Sequence, residues 1–137
     1  MSDAKSMRIH ANDTKIIYPE LSYLVTGLCF EVQKELGRFC RERQYCDVLE
    51  YKFKARGINY EREKVVVAGE EGEFLGNRID FVVDGKILLE IKSLPYTTKN
   101  DYFQVQRYLR ATKLKLAMII NFRSKYLKPK RIINNLI

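Results

Sequence analysis

The strongest constraint on this chain is a pair of alternating runs, RIDFVV at 78–83 and KILLEIK at 86–92, joined through Asp84 and Gly85. Successive side chains on a strand point to opposite faces. Ile79, Phe81 and Val83 therefore share one face, and Ile87, Leu89 and Ile91 match them on the second strand. The other face carries Arg78, Asp80, Glu90 and Lys92. For the two apolar sets to coincide, paired residue numbers must sum to an even value. A two-residue turn pairing Val83 with Lys86 breaks that rule and puts Asp80 and Glu90 on opposite faces. A three-residue connection, Val83-Asp84-Gly85 with Gly85 left-handed in a bulge, restores it. The expected hairpin has Asp80 within one diagonal step of Glu90, with Lys92 on the same face.

Two carboxylates this close repel unless a cation sits between them. Two carboxylates that leave water positions open suit Mg2+ or Mn2+. A lysine beside them can hold an attacking water or offset charge on a phosphate. In outline this is a site for phosphodiester hydrolysis. E-x-K is also common on an ordinary solvated strand face, so the spacing does not decide alone.

The remaining elements frame the hairpin. Leu21, Leu24, Val25, Leu28, Val32 and Leu36 recur at helical spacing, with Pro19 suited to the first helical position and Gly37 to the stop. A second helix is predicted from near Arg41 to Arg56, ending at Gly57. INYEREKVVVA reads as a strand, EEGEFLGN as a turn, Lys99 to Thr112 as a helix and KLAMIINF as a buried strand. The end, YLKPKRIINNLI, offers a short strand or helix. Residues 1–18 are expected to form a flexible lead and 19–137 a single domain. The order α-α-β-β-β-α-β predicts an α/β fold, a mixed sheet with helices packed on it.

Charge narrows the partners. The chain carries 25 Lys and Arg against 17 Asp and Glu, a net +8. Ten of the basic residues, and Asp101 as the single acid, lie from Lys99 onward. That asymmetry favours a polyanion, nucleic acid first. Arg107, Arg110, Lys113, Lys115, Arg123, Lys125, Lys128, Lys130 and Arg131 are the candidate phosphate contacts. His10 is the only histidine, which argues against a histidine-based zinc site or a Ser-His-Asp triad. Cys29, Cys40 and Cys46 form no CxxC pair and read as buried or incidental thiols. The first residues lack an apolar leader segment and the apolar runs are too short to cross a bilayer, so the expectation is a cytoplasmic protein without a membrane partner.

The residues from Glu20 to about Arg131 resemble the GxxExxY protein family, a branch of the PD-(D/E)XK nuclease superfamily. GLCFEVQKELG resembles that family's first helix, and Glu42-x-x-Tyr45 matches half of its naming motif. RIDFVV-DGK-ILLEIKS matches the catalytic hairpin, Gln104 and Tyr108 a Q-x-x-x-Y pattern, and Asn121-Phe122 an N-F that closes the next strand. Four positions depart from the pattern. Phe39 stands for Gly, Ile79 for Pro, Gln33 for a frequent His, and Arg123 for a usual Gly. The resemblance implies a restriction-endonuclease-like core, a central mixed β-sheet flanked by helices. It implies a divalent metal, Mg2+ or Mn2+, held by Asp80, Glu90 and the carbonyl of Ile91, with Glu42 as a further ligand or as an orienter of metal-bound water. Lys92 is then the catalytic lysine, and Gln104 and Tyr108 face the site or a phosphate. The implied activity is a metal-dependent nuclease acting on DNA. The competing reading is a non-catalytic nucleic-acid-binding or interaction module with a vestigial site. A homodimer or a protein complex is compatible with the small size.

Overall fold

A computed structural model describes residues 17–68 and 73–135. The expected N-terminal lead lies outside these residues up to position 16. Two helices, α1 (Pro19–Leu36) and α2 (Glu42–Ala55), precede three strands, β1 (Tyr60–Ala68), β2 (Glu73–Val83) and β3 (Ile87–Lys92). Helix α3 (Lys99–Thr112) leads to β4 (Leu116–Asn121) and β5 (Lys130–Ile133). The C-terminal segment thus resolves to a strand. The sheet runs in the order β1-β2-β3-β4-β5. β3 and β4 are parallel, joined over α3, and every other neighbouring pair is antiparallel. This is the mixed sheet the element order implied.

Helix boundaries follow local chemistry. Thr98 caps α3 by accepting from the Asp101 N–H at 3.3 Å, while the Asp101 carboxylate accepts from the Thr98 N–H at 2.8 Å. This reciprocal arrangement satisfies two otherwise orphaned donors. Gly37 ends α1 with φ 77°, a conformation that costs glycine little.

The hairpin has the expected parity in a different register. Phe81 pairs with Leu89, Val82 with Leu88 and Val83 with Ile87, so the connection is Asp84-Gly85-Lys86 rather than Val83-Asp84-Gly85. Asp84 and Gly85 both have positive φ, 52° and 62°, and the Lys86 N–H donates to the Val83 carbonyl at 2.9 Å. Shifted by one step, Asp80 comes level with Glu90. β2 also begins earlier than expected. Residues 73–77 of the anticipated EEGEFLGN turn are strand, with Glu73 and Phe74 paired to Ala68 and Val67; residues 69–72 lie outside the described residues.

Both faces of the sheet are core, which the alternation did not convey. On one face, Val25, Leu28, Tyr45, Leu49 and Phe53 of α1 and α2 pack on Phe81, Val83, Ile87, Leu89 and Ile91. On the other, Val105, Tyr108 and Leu109 of α3 cover Val82, Leu88, Ala117 and Ile119. Ile79 was expected beside Phe81 but packs in this second cluster. The β1–β2 ladder is irregular at this point. Arg62 pairs with Phe81 and Lys64 with Ile79, but Glu63, facing Asp80, has φ 55°. A left-handed residue disturbs the local pleat of β1, and it stands opposite the point where the β2 alternation is lost.

Candidate active site

The site forms where β2 leaves β3. The Asp80 N–H donates to Glu90 Oε1 at 3.2 Å, and the Ile91 N–H donates to Asp80 Oδ2 at 2.7 Å. The Asp80 side chain thus takes a donor that a continuing ladder would have given to a carbonyl. Glu90 is 4% exposed, an unusual burial for a carboxylate. Burial raises the pKa of Asp80; the Ile91 N–H and Lys92 oppose that, and Glu42 adds to it. Burial also raises Glu90, and the facing Asp80 charge pushes it further. Lys92 partly offsets both.

Lys92 ends β3. Its ammonium stands 3.6 Å from Asp101 Oδ1, and both side chains are largely shielded from water. Burial works against ionisation of Asp101, but the Thr98 N–H and Lys92 outweigh it and hold the carboxyl below its ordinary range. Asp101 therefore both caps α3 and holds Lys92. Sequence reasoning missed this role and counted Asp101 only as the lone acid of a basic half. Its position three residues after Thr98 signals the cap, but nothing local signals the lysine.

Glu42 lies in the first turn of α2, and its Oε2 accepts from the Ser93 N–H at 3.2 Å. Ser93 Oγ donates to the Cys40 carbonyl at 2.8 Å, so the start of α2 is tied to the end of β3. Tyr108 sits under the site from the α3 side. Burial and then the Glu90 charge raise its phenol to about 12, against the opposing influence of the Gln104 side chain. The sequence-predicted Asp80, Glu90, Lys92, Glu42, Gln104 and Tyr108 therefore converge. The Cys46 thiol is also pushed up, by burial first and then by Asp80, which leaves it an inert neighbour.

The E-x-x-Y and N-F pairs have structural roles. The Tyr45 hydroxyl donates to the Gly37 carbonyl at 2.6 Å and accepts from the Cys40 N–H at 3.2 Å. Its ring stacks on Phe122 with centroids 4.2 Å apart. Asn121 accepts from the Leu94 N–H at 3.1 Å and donates to the Leu94 carbonyl at 2.9 Å, fixing the loop after Lys92. Three of the four departures also have partners. Gln33 donates to the Phe122 and Ser124 carbonyls. Phe39 and Arg123 meet each other: the guanidinium lies 5.3 Å from the ring centroid. Arg123 also donates to the Ser93 carbonyl.

The candidate phosphate contacts do not form one surface. Lys115 precedes Leu116, which pairs with Ile87, whereas Lys92 pairs with Asn121. Six residues of strand separate Lys115 from Asn121, which places it about 20 Å along the sheet from Lys92. Lys113, which follows α3, lies at that remote end too, and Arg110 is in the last turn of α3. Arg107 is exposed on α3. Arg131 donates to the Ile17 carbonyl at 2.7 Å, and burial pulls its guanidinium pKa down. Lys128 and Lys130 line a cleft beside Asn121, and Lys125 stands 5.6 Å from the Tyr126 ring centroid.

Residues 19–133 match the family model of the PD-(D/E)XK nuclease superfamily. The chain belongs to this superfamily. Its fold, a mixed five-stranded sheet with flanking helices, is the restriction-endonuclease-like one. Superfamily members generally use divalent metal ions. No curated protein and no solved structure gives a match. Among the described residues, no group of three or more His, Cys, Asp and Glu side chains clusters as a metal site, and no helix is long and apolar enough to cross a membrane. The donor set at the hairpin still fits a hard dication. It is all oxygen, buried, and composed of two carboxylates that resist joint ionisation without a cation.

Proposed function

We propose that the chain is a metal-dependent nuclease that hydrolyses phosphodiester bonds of DNA. The observation carrying this reading is the buried Asp80–Glu90 pair, joined through backbone N–H groups, with the Lys92 ammonium offsetting its charge. Asp80, Glu90 and the Ile91 carbonyl are the groups that would hold Mg2+ or Mn2+, both of which take oxygen ligands. When bound, the ion supplies Lewis-acid stabilisation of charge developing on the phosphate.

The protein's own groups do the rest. Lys92 positions the attacking water and offsets phosphate charge, and its ion pair with Asp101 limits where the ammonium can go. Glu42 accepts from Ser93 and organises the mouth of the site, where its carboxylate would also face the ion. Gln104, one helical turn before Tyr108, influences the phenol that lies near the carboxylates.

The test is cleavage of single-stranded, double-stranded and branched DNA, and of RNA, with Mg2+ and with EDTA. Divalent-dependent cleavage that is lost in Asp80→Asn and Glu90→Gln is expected. Cleavage at the same rate in EDTA would overturn the assignment.

A further inference from the structure

We propose that the cleft beside Lys92 seats an unpaired nucleotide next to the scissile phosphate, its base stacked on Tyr96, so that the substrate is a single strand. This rests on the nuclease reading above and names its substrate class.

Asn121 connects the cleft to the site. It pairs in register with Lys92 and holds Leu94 by both backbone groups. The chain then runs through Pro95, Tyr96 and Thr97, which line a cleft of about 270 Å³ with Lys128 and Lys130. A second cleft of about 370 Å³ shares Thr97 and Lys130 and adds Lys99. No acidic residue lines either cleft. Three lysines therefore mark a basic track that reaches Asn121, the strand partner of Lys92.

Tyr96 lies on this track and is 75% exposed. Phe39 is equally exposed, but the Arg38 and Arg123 guanidiniums already lie 5.2 and 5.3 Å from its centroid. Exposed aromatic rings bind bases through their π-faces, which a duplex hides by stacking base on base. Duplex binding needs only the phosphate contacts and makes no use of Tyr96. A ring placed between a fixed loop and a row of lysines therefore favours an unpaired base whose phosphates lie along the ammoniums.

The experiment measures binding in EDTA, so that cleavage does not intervene. Labelled single-stranded oligonucleotides and duplexes of the same sequence are titrated with wild type, Tyr96→Ala, Tyr96→Phe and Lys128→Ala/Lys130→Ala. Tyr96→Ala is expected to weaken single-strand binding about 5- to 100-fold. Duplex binding should stay unchanged, and Tyr96→Phe should stay within about twofold of wild type, since the ring and not the hydroxyl acts. The double lysine variant should lower the slope of log affinity against log salt by roughly 0.7 per lysine on single strands. Aminopurine in the oligonucleotide should be quenched by wild type and not by Tyr96→Ala. Melting curves check that each variant folds, and Tyr96 is exposed enough for its loss to spare the core.

The proposal is overturned if wild type does not bind single strands, if Tyr96→Ala binds them normally, or if it weakens duplex and single strand equally. Cleavage with Mg2+ is scored separately. Tyr96-dependent binding without any cleavage would refute the nuclease reading and leave the subsite standing.

Discussion

Glu90→Gln should stabilise the metal-free protein at alkaline pH while abolishing its activity. The substitution keeps an acceptor oxygen for the Asp80 N–H, which now reaches Glu90 Oε1 at 3.2 Å, and removes only the charge. Side chains level with each other on an antiparallel pair stand about 5 Å apart. Two unit charges about 5–6 Å apart repel by roughly 3 kcal/mol at an effective dielectric of about 20. Proton uptake by the pair limits how much of this is felt, so the expected gain is about 1–3 kcal/mol near pH 8. The sign follows from linkage. Burial raises Asp80 to about 6 and Glu90 to about 8, above their unfolded values. The folded state therefore holds protons that the unfolded state releases. Stability is fully present below about pH 4 and is lost as pH rises through the two folded values. The assay is urea or thermal unfolding of both proteins across this range, in EDTA and in Mg2+. In EDTA the variant should melt about 3–10 °C above wild type near pH 8, with the gap closing towards about pH 4. Mg2+ should raise the wild type and leave the variant nearly unmoved, because only the wild type retains both carboxylates. A variant less stable than wild type in EDTA near pH 8 would refute the reasoning, since the pair would then not be repulsive.

Lys92→Ala should cut cleavage by about 10²-fold or more while metal affinity, measured by calorimetry, is retained, because both carboxylates remain. Lys92→Arg should rescue poorly, since a planar fork does not replace a compact ammonium held at 3.6 Å from Asp101. Glu63→Gly should stabilise the fold by about 0.5–1 kcal/mol in urea titrations, because it relieves a left-handed backbone and loses only a 4.0 Å contact with exposed Arg78. Tyr45→Phe should destabilise by about 1–2 kcal/mol in the same assay, since the Gly37 carbonyl and Cys40 N–H both lose their side-chain partner while the stack on Phe122 persists.

The elements were legible in the sequence because their signals are local. Helix α1 over Pro19–Leu36 and α3 over Lys99–Thr112 follow from periodicity, a proline start, a glycine stop and hydrophilic flanks. The even-sum rule placed Asp80 and Glu90 together without reference to any other part of the chain, because only that parity keeps Phe81, Val83, Ile87 and Leu89 on one face. Glu42, Gln104 and Tyr108 entered through motif resemblance, since no local periodicity points from a helix to a strand it has not yet met. What tertiary structure alone decided are the contacts between segments distant in sequence. Ile79 packs under α3, on the side opposite Phe81, at the point where Glu63 of the neighbouring strand is left-handed. Val82 and Leu88 became core only once α3 crossed over them. Asp101 became the partner of Lys92 because the short loop after β3 turns the first turn of α3 back over the end of that strand. The parallel pairing of β3 and β4 divides the basic residues, carrying Lys113 and Lys115 to the far end of the sheet and leaving Lys128 and Lys130 beside the site. Charge counted along a chain cannot show that division, because a parallel strand pair aligns ends that are many residues apart.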